Sequence, residues 1–139
     1  MTARFGVGVP IIMVDSQLAK GFPYSRAIRV GNLVFTHGQT GRDSQTGRLV
    51  SGGIEPETCK SIEQLSAILE KAGASLKSVV KVTAYLADLS EYDEFNKAYL
   101  PYFLEHQPAR TVVQASGLHD GARVEMDMIA YVGESGENV

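Results

Sequence analysis

The sequence predicts an α+β fold in which two helices cover one face of a mixed sheet of about six strands. Two observations support this prediction. Apolar residues recur at helical spacing in two segments, and they alternate with polar residues in several others. The predicted order along the chain is strand, β-hairpin, helix, strand, helix, strand, strand. Two helices can bury only one face of such a sheet, so the other face must meet water or another protein chain.

Several elements have a local signal at their ends. Gly31 and Asn32 tolerate positive φ and predict the turn of the hairpin. Pro56 suits the first turn of the first helix, and Gly73 suits the position after its end. The predicted strands are 11–14, 27–30, 33–36, 79–87, 111–115 and 123–132. The apolar stripe of the first helix comprises Cys59, Ile62, Leu65, Ile68, Leu69 and Ala72.

The second helix is predicted to begin at Ser90, a hydroxyl residue followed three positions later by Asp93, and to kink or end early at Pro101. Alternation predicts which strand residues face the helices. In the strand at 79–87 these are Val80, Val82, Ala84 and Leu86, and in the last strand they are Val124, Met126, Met128, Ala130 and Val132. The uncovered face is expected to be polar and to carry Thr83, Tyr85, Arg123, Glu125 and Asp127.

Length and composition indicate one ordinary globular domain over 1–139, with its core at about 10–132 and a flexible tail at 133–139. Lys and Arg number 13 against 16 Asp and Glu, and the resulting net charge of −3 argues against a dedicated nucleic-acid binder. The only cysteine, Cys59, cannot form an intramolecular disulfide. No segment has the pattern of a signal peptide or a membrane span, so we expect a cytoplasmic protein with no membrane partner.

Common catalytic and metal-binding motifs are absent from the sequence. It contains no phosphate-binding P-loop, no dinucleotide-binding glycine motif and no Gly-x-Ser-x-Gly elbow. The histidines, His37, His106 and His119, are scattered, and no His or Cys pair has metal-ligand spacing. A zinc site is therefore not expected.

Arg110 and Glu125 are the remaining candidates for chemistry. Arg110 stands at the start of one predicted strand, and Glu125 lies on the polar face of the next strand along the chain. A guanidinium binds a carboxylate through two parallel hydrogen bonds, and a glutamate positions water for attack on an electrophilic carbon. The alternative is a cross-strand ion pair with a structural role, since charged residues on a polar sheet face are common. Spacing alone favours the ion pair.

Four segments together form a family pattern: Gly31–Gln39, Val82–Leu89, Pro108–Val113 and Val124–Ala130. The most specific part is Pro-x-Arg followed by Val-Glu-x-x-x-Ile-Ala. These segments follow one another in the same order as in the RidA (YjgF/YER057c/UK114) family of reactive-intermediate deaminases, and the chain resembles this family over about residues 10–132. It is identified as a member of that family on this resemblance.

The resemblance implies a chorismate-mutase-like fold and a ring-shaped homotrimer with three clefts between subunits. It implies that Arg110 holds the carboxylate of the substrate and that Glu125 positions the hydrolytic water. Tyr24 would close the cleft from the neighbouring subunit. Backbone groups near Val112 and the segment at Gly38 would contact the ligand.

Two positions depart from the family pattern. Val112 stands where the best-studied deaminases carry a cysteine, so that thiol is dispensable here or the ligand differs. His37 stands among the substrate-binding residues where a small residue, often serine, is usual. Its imidazole would narrow the cleft or add a proton donor, or it is a histidine at a strand end without a role in the site. Gln39 and Asn96 are further polar candidates that serve either the site or local turns.

The implied activity is hydrolysis of short enamine or imine acids of the 2-aminoacrylate type to 2-keto acids and ammonia. No metal or organic cofactor is expected, because the imine carbon is already electrophilic. The expected partners are a small carboxylate substrate and further copies of the chain. The alternatives are a trimer that binds keto or amino acids without turnover, a pathway-specific deaminase of the aminomuconate type, and an endoribonuclease, against which the acidic balance argues.

Overall fold

A computed structural model of the chain describes residues 2–3 and 8–133, so the predicted tail lies outside the described residues from position 134 onward. The fold is the predicted α+β fold, with two helices packed on a mixed sheet. The helices are α1, Ile54–Lys71, and α2, Tyr92–Tyr99. The strands are β1 (Thr2–Ala3), β2 (Ile11–Ser16), β3 (Ser25–Val30), β4 (Leu33–Thr36), β5 (Gln39–Thr40), β6 (Val79–Leu86), β7 (Ala109–Gln114) and β8 (Val124–Tyr131). Within the described residues, no helix combines the length and the apolar character that a membrane crossing requires.

The sheet has the strand order β1-β2-β3-β4-β8-β6-β7, and β5 pairs with β8 alongside this path. Strands β6 and β7 are parallel and are connected through α2, whereas the other described pairs are antiparallel. All six predicted strands are present. The two additional strands, β1 and β5, have two residues each, which is too short for a periodic pattern in the sequence.

The hydrophobic core lies between the helices and the sheet. From α1, Ile62, Leu65 and Leu69 are fully buried, and Cys59 on the same stripe is partly buried. The predicted inward residues of β8 are buried as well: Val124, Met126, Met128 and Ala130. Full burial of one large aliphatic side chain stabilises a fold by about 1.5–3 kcal/mol, so this layer fixes α1 on the sheet.

Both ends of α1 follow the signals in the sequence. Pro56 lies in the first turn, where backbone N–H groups have no helical partner, so its missing N–H removes no hydrogen bond. Gly73 follows the helix with φ at 88°. Its N–H donates to the carbonyl of Glu70 at 3.1 Å, and the N–H of Ala74 donates to that of Leu69 at 2.8 Å. These two bonds form a Schellman motif, which requires the left-handed conformation at Gly73.

A β-bulge changes which residues of β6 face the helices. The register against β8 shifts between Val79 and Lys81. Val79 is therefore fully buried, whereas Val80 is 45% exposed. The inward orientation predicted for Val80 is wrong, and that of the remaining alternate residues, Val82, Ala84 and Leu86, is confirmed.

Asp88, rather than Ser90, provides the cap before α2. Its Oδ1 accepts a hydrogen bond of 2.9 Å from the backbone N–H of Ser90, in a 3-10 turn that leads into α2. The predicted effect of Pro101 is confirmed. The α-helix ends at Tyr99, and a 3-10 turn follows it, because a proline cannot donate the next helical hydrogen bond.

The sheet face away from the helices is partly apolar. Phe35 pairs with Ile28 on one side and with Ile129 on the other, and its side chain is 38% exposed. Leu33 and Tyr131 form the next pair and are exposed to a similar degree. We call these five residues the outer apolar patch. The prediction of a polar face therefore holds only for the part near Glu125 and Asp127.

Arg123 does not belong to the outer face, contrary to the prediction. Its guanidinium forms a close ion pair with Glu91, beside the start of α2. Its backbone N–H donates to Oε1 of Glu57 on α1 at 2.8 Å. The residue lies just before β8, where strand alternation no longer dictates its direction, and it links both helices to the sheet.

Candidate functional site

The predicted site residues fall into two separate cavities. Arg110 lines a cavity of about 540 Å³ beside α2, and Glu125 lines one of about 590 Å³. Strand β6 lies between their strands. Arg110 pairs with the buried Val82, which faces the helices, whereas Glu125 pairs with Tyr85 on the outer face. The predicted cross-strand ion pair is therefore wrong, since the two side chains lie on opposite faces of the sheet.

The Arg110 cavity holds its guanidinium against aromatic rings of α2. Cζ of Arg110 lies 4.8 Å from the ring centroid of Tyr99, 5.4 Å from that of Phe95 and 5.7 Å from that of Tyr92. Nη2 donates a 3.0 Å hydrogen bond to Oη of Tyr92. Each such cation–π contact stabilises the charged group by about 0.5–2 kcal/mol, depending on desolvation.

Most hydrogen-bond donors of Arg110 have no partner within the described residues. A guanidinium carries five N–H groups, and Tyr92 accepts from one of them. No ion pair involves Arg110 in the part of the chain that the structure describes. Burial meanwhile raises the pKa of Tyr99 to about 12, so this neighbour stays neutral and does not compensate the charge. Arg110 is thus oriented and free to bind an anion such as a carboxylate.

The Glu125 cavity contains the other predicted site residues. The rings of Tyr24 and His37 are stacked, with centroids 5.5 Å apart and planes inclined by 18°. Tyr24 lines the same cavity as Glu125 of the same chain, whereas Arg110 lines the other cavity. The cavity is lined by Gln17, Lys20, Phe22, Tyr24, Arg26, His37, Gly38, Gln39, Thr40, Arg42, His119 and Glu125.

The surroundings of Glu125 make its carboxylate a stronger base than an exposed glutamate. Burial raises its pKa, the nearby Asp127 carboxylate raises it further, and His119 opposes this effect. Burial disfavours the charged form because the carboxylate loses hydration. A carboxylate in such a position accepts a proton from water more readily, as a general base must.

Gly38 leaves room for the carboxylate of Glu125. A Cβ atom at position 38 would overlap Cδ and Oε2 of Glu125 and would make a tight contact with Cγ. The φ of Gly38 is not in the left-handed region, so the requirement for glycine here is steric and not conformational. The backbone between β4 and β5 therefore forms one wall of the Glu125 cavity.

Val112 and Asn96 lie on the side of Arg110. Val112 follows Arg110 by two residues on β7 and packs partly against the core, and Asn96 lines the Arg110 cavity from α2. Two neighbours of the candidate residues were not singled out in the sequence as part of the site, namely Tyr92 beside Arg110 and His119 beside Glu125. The contact between Tyr92 and Arg110 depends on how α2 packs beside β7, which no local pattern in the sequence shows.

Within residues 2–3 and 8–133, no group of three or more His, Cys, Asp or Glu side chains is arranged to hold a metal ion. Both cavities contain polar groups that suit a small organic acid. These groups include the Arg110 guanidinium with available donors, the Glu125 carboxylate with its raised pKa, and several hydrogen-bonding side chains.

Known proteins are similar to this chain in sequence and in fold. The model of the family described as Endoribonuclease L-PSP matches residues 15–132. The chain is 37% identical over 111 residues to human 2-iminobutanoate/2-iminopropanoate deaminase. The aligned region covers 80% of this chain and 81% of the human protein. The chain belongs to the RidA (YjgF/YER057c/UK114) family. It is also 50% identical over 109 residues to a RutC family protein of Pyrococcus abyssi, across 78% of this chain and 86% of the relative.

Solved structures of the RidA family include E. coli TdcF with bound serine. It matches this structure with a TM-score of 0.79 and 30% identity, over 88% of this chain and 99% of TdcF. The family assignment that the sequence predicted is thereby confirmed. Relatives in this family that are named as deaminases relate the family to imine deamination.

Proposed function

We propose that the protein hydrolyses short 2-imino acids to 2-keto acids and ammonia, in clefts between the subunits of a homotrimer. Arg110 of one copy would bind the substrate carboxylate, and Glu125 of the neighbouring copy would activate water. The observation that carries this proposal is the separation of Arg110 and Glu125 into two cavities on opposite faces of the sheet. Each chain has both halves of a site for an imino acid, but not in one place.

The outer apolar patch supports the participation of a second copy. Phe35, Leu33 and Tyr131 are each exposed by 38–42% in the single chain. Monomeric proteins rarely leave several large apolar side chains together in water, and such patches are typical of contact surfaces. The patch shares its sheet face with Glu125, so a copy that covers it approaches the Glu125 cavity.

The proposed reaction uses the groups of the two cavities as follows. Arg110 holds the carboxylate of the protonated imine. Glu125 takes a proton from water, the water oxygen bonds to the imine carbon, and the π electrons of the C=N bond move to nitrogen. Glu125 returns the proton to the amine of the resulting carbinolamine and takes the hydroxyl proton as C=O forms and the C–N bond breaks. Ammonia leaves and gains that proton from Glu125, so the protonated imine and water become keto acid and ammonium.

This reaction needs no metal or organic cofactor in the proposal, because the protonated imine is already electrophilic. Position 112, a valine here, contributes no thiol to it. The test is the release of 2-ketobutyrate from 2-iminobutanoate that an L-amino-acid oxidase generates from L-2-aminobutanoate. Turnover above the rate without the protein is the expected result, and the uncatalysed rate in its presence would contradict the proposal.

Subunit complementation tests the shared cleft directly. Arg110→Ala and Glu125→Gln chains are each expected to be inactive alone. When they are co-expressed with different affinity tags and purified through both, every mixed trimer has one cleft with an intact Arg110 and an intact Glu125. About a third of the wild-type activity should return. No recovery in verified mixed assemblies would show that one chain supplies both groups.

A second candidate is a binder of small amino or keto acids without turnover. The structure of E. coli TdcF with bound serine favours it, since serine is itself a small carboxylate with an amine. The two functions differ in one measurement. Calorimetric binding of 2-ketobutyrate together with the uncatalysed rate of imine hydrolysis would select the binder.

A further inference from the structure

The hydrogen-bond network around His37 fixes which ring nitrogen carries the hydrogen. Nε2 of His37 lies 2.9 Å from Oε1 of Gln39. Nε2 of Gln39 donates to the backbone carbonyl of Thr40 at 2.9 Å, and a carbonyl oxygen can only accept. The Gln39 amide must therefore turn its oxygen toward His37, and this oxygen requires a donor. Nε2 of His37 is that donor.

The other nitrogen of His37, Nδ1, is then an acceptor in the neutral ring. Burial lowers the pKa of His37, and the nearby charge of Arg26 lowers it further. The hydrogen bond with Gln39 and the charge of Asp15 act in the opposite direction, but the pKa stays below its ordinary value. The neutral form of the ring therefore predominates at pH 7. No hydrogen bond to Nδ1 is formed within the described residues, and Nδ1 is not among their buried polar atoms without a partner. Its lone pair is accessible from outside.

His37 holds this nitrogen in a fixed position. Its backbone N–H donates to the carbonyl of Arg26 at 2.8 Å, and its ring stacks on Tyr24. Gln39, which is almost fully buried, fixes the rotation of the ring about its own axis. His37 lines the same cavity as Glu125, the residue that faces the reacting carbon in the proposed reaction.

We propose that Nδ1 of His37 accepts a hydrogen bond from the nitrogen of the bound ligand, and that the cavity thereby selects imino and amino acids over keto acids. An iminium or ammonium group supplies the N–H that this lone pair needs. A ketone oxygen supplies none and would point its own lone pairs at Nδ1. The imine substrate is therefore held, and the keto product loses one contact as soon as ammonia has left. The identity of the substrate in this inference rests on the proposed function, but the preference for nitrogen does not.

The test compares two small ligands on matched variants. Calorimetry gives the dissociation constants of L-2-aminobutanoate, which carries an ammonium group, and of 2-ketobutyrate, which carries no nitrogen. In His37→Phe, which keeps the stack on Tyr24 and lacks both nitrogens, the preference for the amino acid should fall by about tenfold. In His37→Asn, whose side-chain oxygen restores an acceptor near Nδ1, most of that preference should return. Nitrogen-15 NMR of wild-type His37 should show Nε2 protonated and Nδ1 unprotonated at pH 7.

Each result has a distinct meaning. An unchanged preference in His37→Phe, or a protonated Nδ1 at pH 7, overturns the inference, even when imine turnover is normal. A preference that falls in His37→Phe and returns in His37→Asn supports it. If the same wild-type preparation does not hydrolyse 2-iminobutanoate, the hydrolase proposal fails and the nitrogen-selective site stands. Failure of the wild-type protein to bind L-2-aminobutanoate and 2-ketobutyrate overturns this inference, whereas the hydrolase proposal is decided by the turnover of 2-iminobutanoate.

Discussion

The aromatic rings around Arg110 and the partial burial of Glu125 give these two side chains complementary properties. Arg110 keeps its charge, lies over the rings of Tyr92, Phe95 and Tyr99, and retains donors for a ligand. Glu125 loses hydration, and its pKa is raised. One group is suited to binding an anion and the other to accepting a proton, which are the two tasks that hydrolysis of an imino acid requires.

Tyr92 tests how far the orientation of Arg110 depends on a single hydrogen bond. Tyr92→Phe keeps the ring beneath the guanidinium and removes the acceptor that lies 3.0 Å from Nη2. We expect KM for 2-iminobutanoate to rise by about three- to tenfold with kcat nearly unchanged, because ground-state and transition-state binding weaken alike. Steady-state kinetics provide the measurement. A fall in kcat at constant KM would show that Tyr92 acts in the chemical step.

Glu125→Gln separates a base from a structural residue. An amide fills the same space but is a far weaker base, so kcat should fall by about a hundredfold while the affinity for 2-ketobutyrate changes little. A structural role predicts the opposite pattern, with weaker binding and an unchanged kcat. Imine turnover and ligand affinity measured on one preparation distinguish the two.

The same variant should alter stability in a pH-dependent way. The pKa of Glu125 in the folded chain lies above the ordinary value of 4.5, so the stability linked to its protonated form is complete below that pH and is lost as the pH rises through the raised pKa. At pH 7 the wild-type protein carries a poorly hydrated charge that Glu125→Gln lacks. We expect a higher Tm for the variant at pH 7 and a difference that shrinks toward pH 4.5. A lower Tm at pH 7 would indicate that the carboxylate forms a stabilising contact.

At the scale of elements, the backbone between β4 and β5 supports the position of Glu125. Gly38→Ala places a methyl group where the Glu125 side chain lies, and that side chain can move away. We expect a fall in kcat of about tenfold or more with a small change in Tm. Gly117→Ala is the matched control, because nothing lies within 4 Å of the added Cβ. Equal activities of the two variants would exclude the steric role of Gly38.

Strong periodicity explains which elements the sequence predicts well. The hairpin around Gly31, the stripe of α1 and the alternation of β8 all bury one face, and burial determines their conformation. The bulge that turns Val79 inward arises from pairing with a strand far away in the chain, and so the residues around it carry no signal. The cap at Asp88 was missed for a related reason, since Ser90 has the same local preference.

At the scale of the whole molecule, the relation between Arg110 and Glu125 was the hardest to predict. Strands that follow each other along the chain are often neighbours in a sheet, and this expectation placed the two residues side by side. In the structure β6 lies between β7 and β8. Residue types and family motifs indicated Arg110 and Glu125 as the candidate pair, but the distribution of the pair over two cavities depends on strand order, which no local pattern encodes.

Assembly is tested best on the outer apolar patch. Phe35→Glu places a charge in the middle of this patch, where an adjoining copy would have to bury it without a partner. We expect light scattering to give the mass of one chain, 15.0 kDa, together with a loss of imine turnover. Leu104→Glu is the control, because Leu104 is 65% exposed outside the patch. A trimer that persists in Phe35→Glu would place the contact between copies elsewhere.

The position of β6 between β7 and β8 also has a consequence for how the rate depends on protein concentration. In the proposed function, a chain whose guanidinium and carboxylate are kept apart by a strand would not complete a cleft alone, so every working cleft would require an encounter between chains. Catalysis per chain is then a property of the association equilibrium and should decline on dilution below the dissociation constant of the assembly, although each chain stays folded. A cell with a low concentration of this protein would have less activity per chain, and the total activity would rise more steeply than the protein concentration.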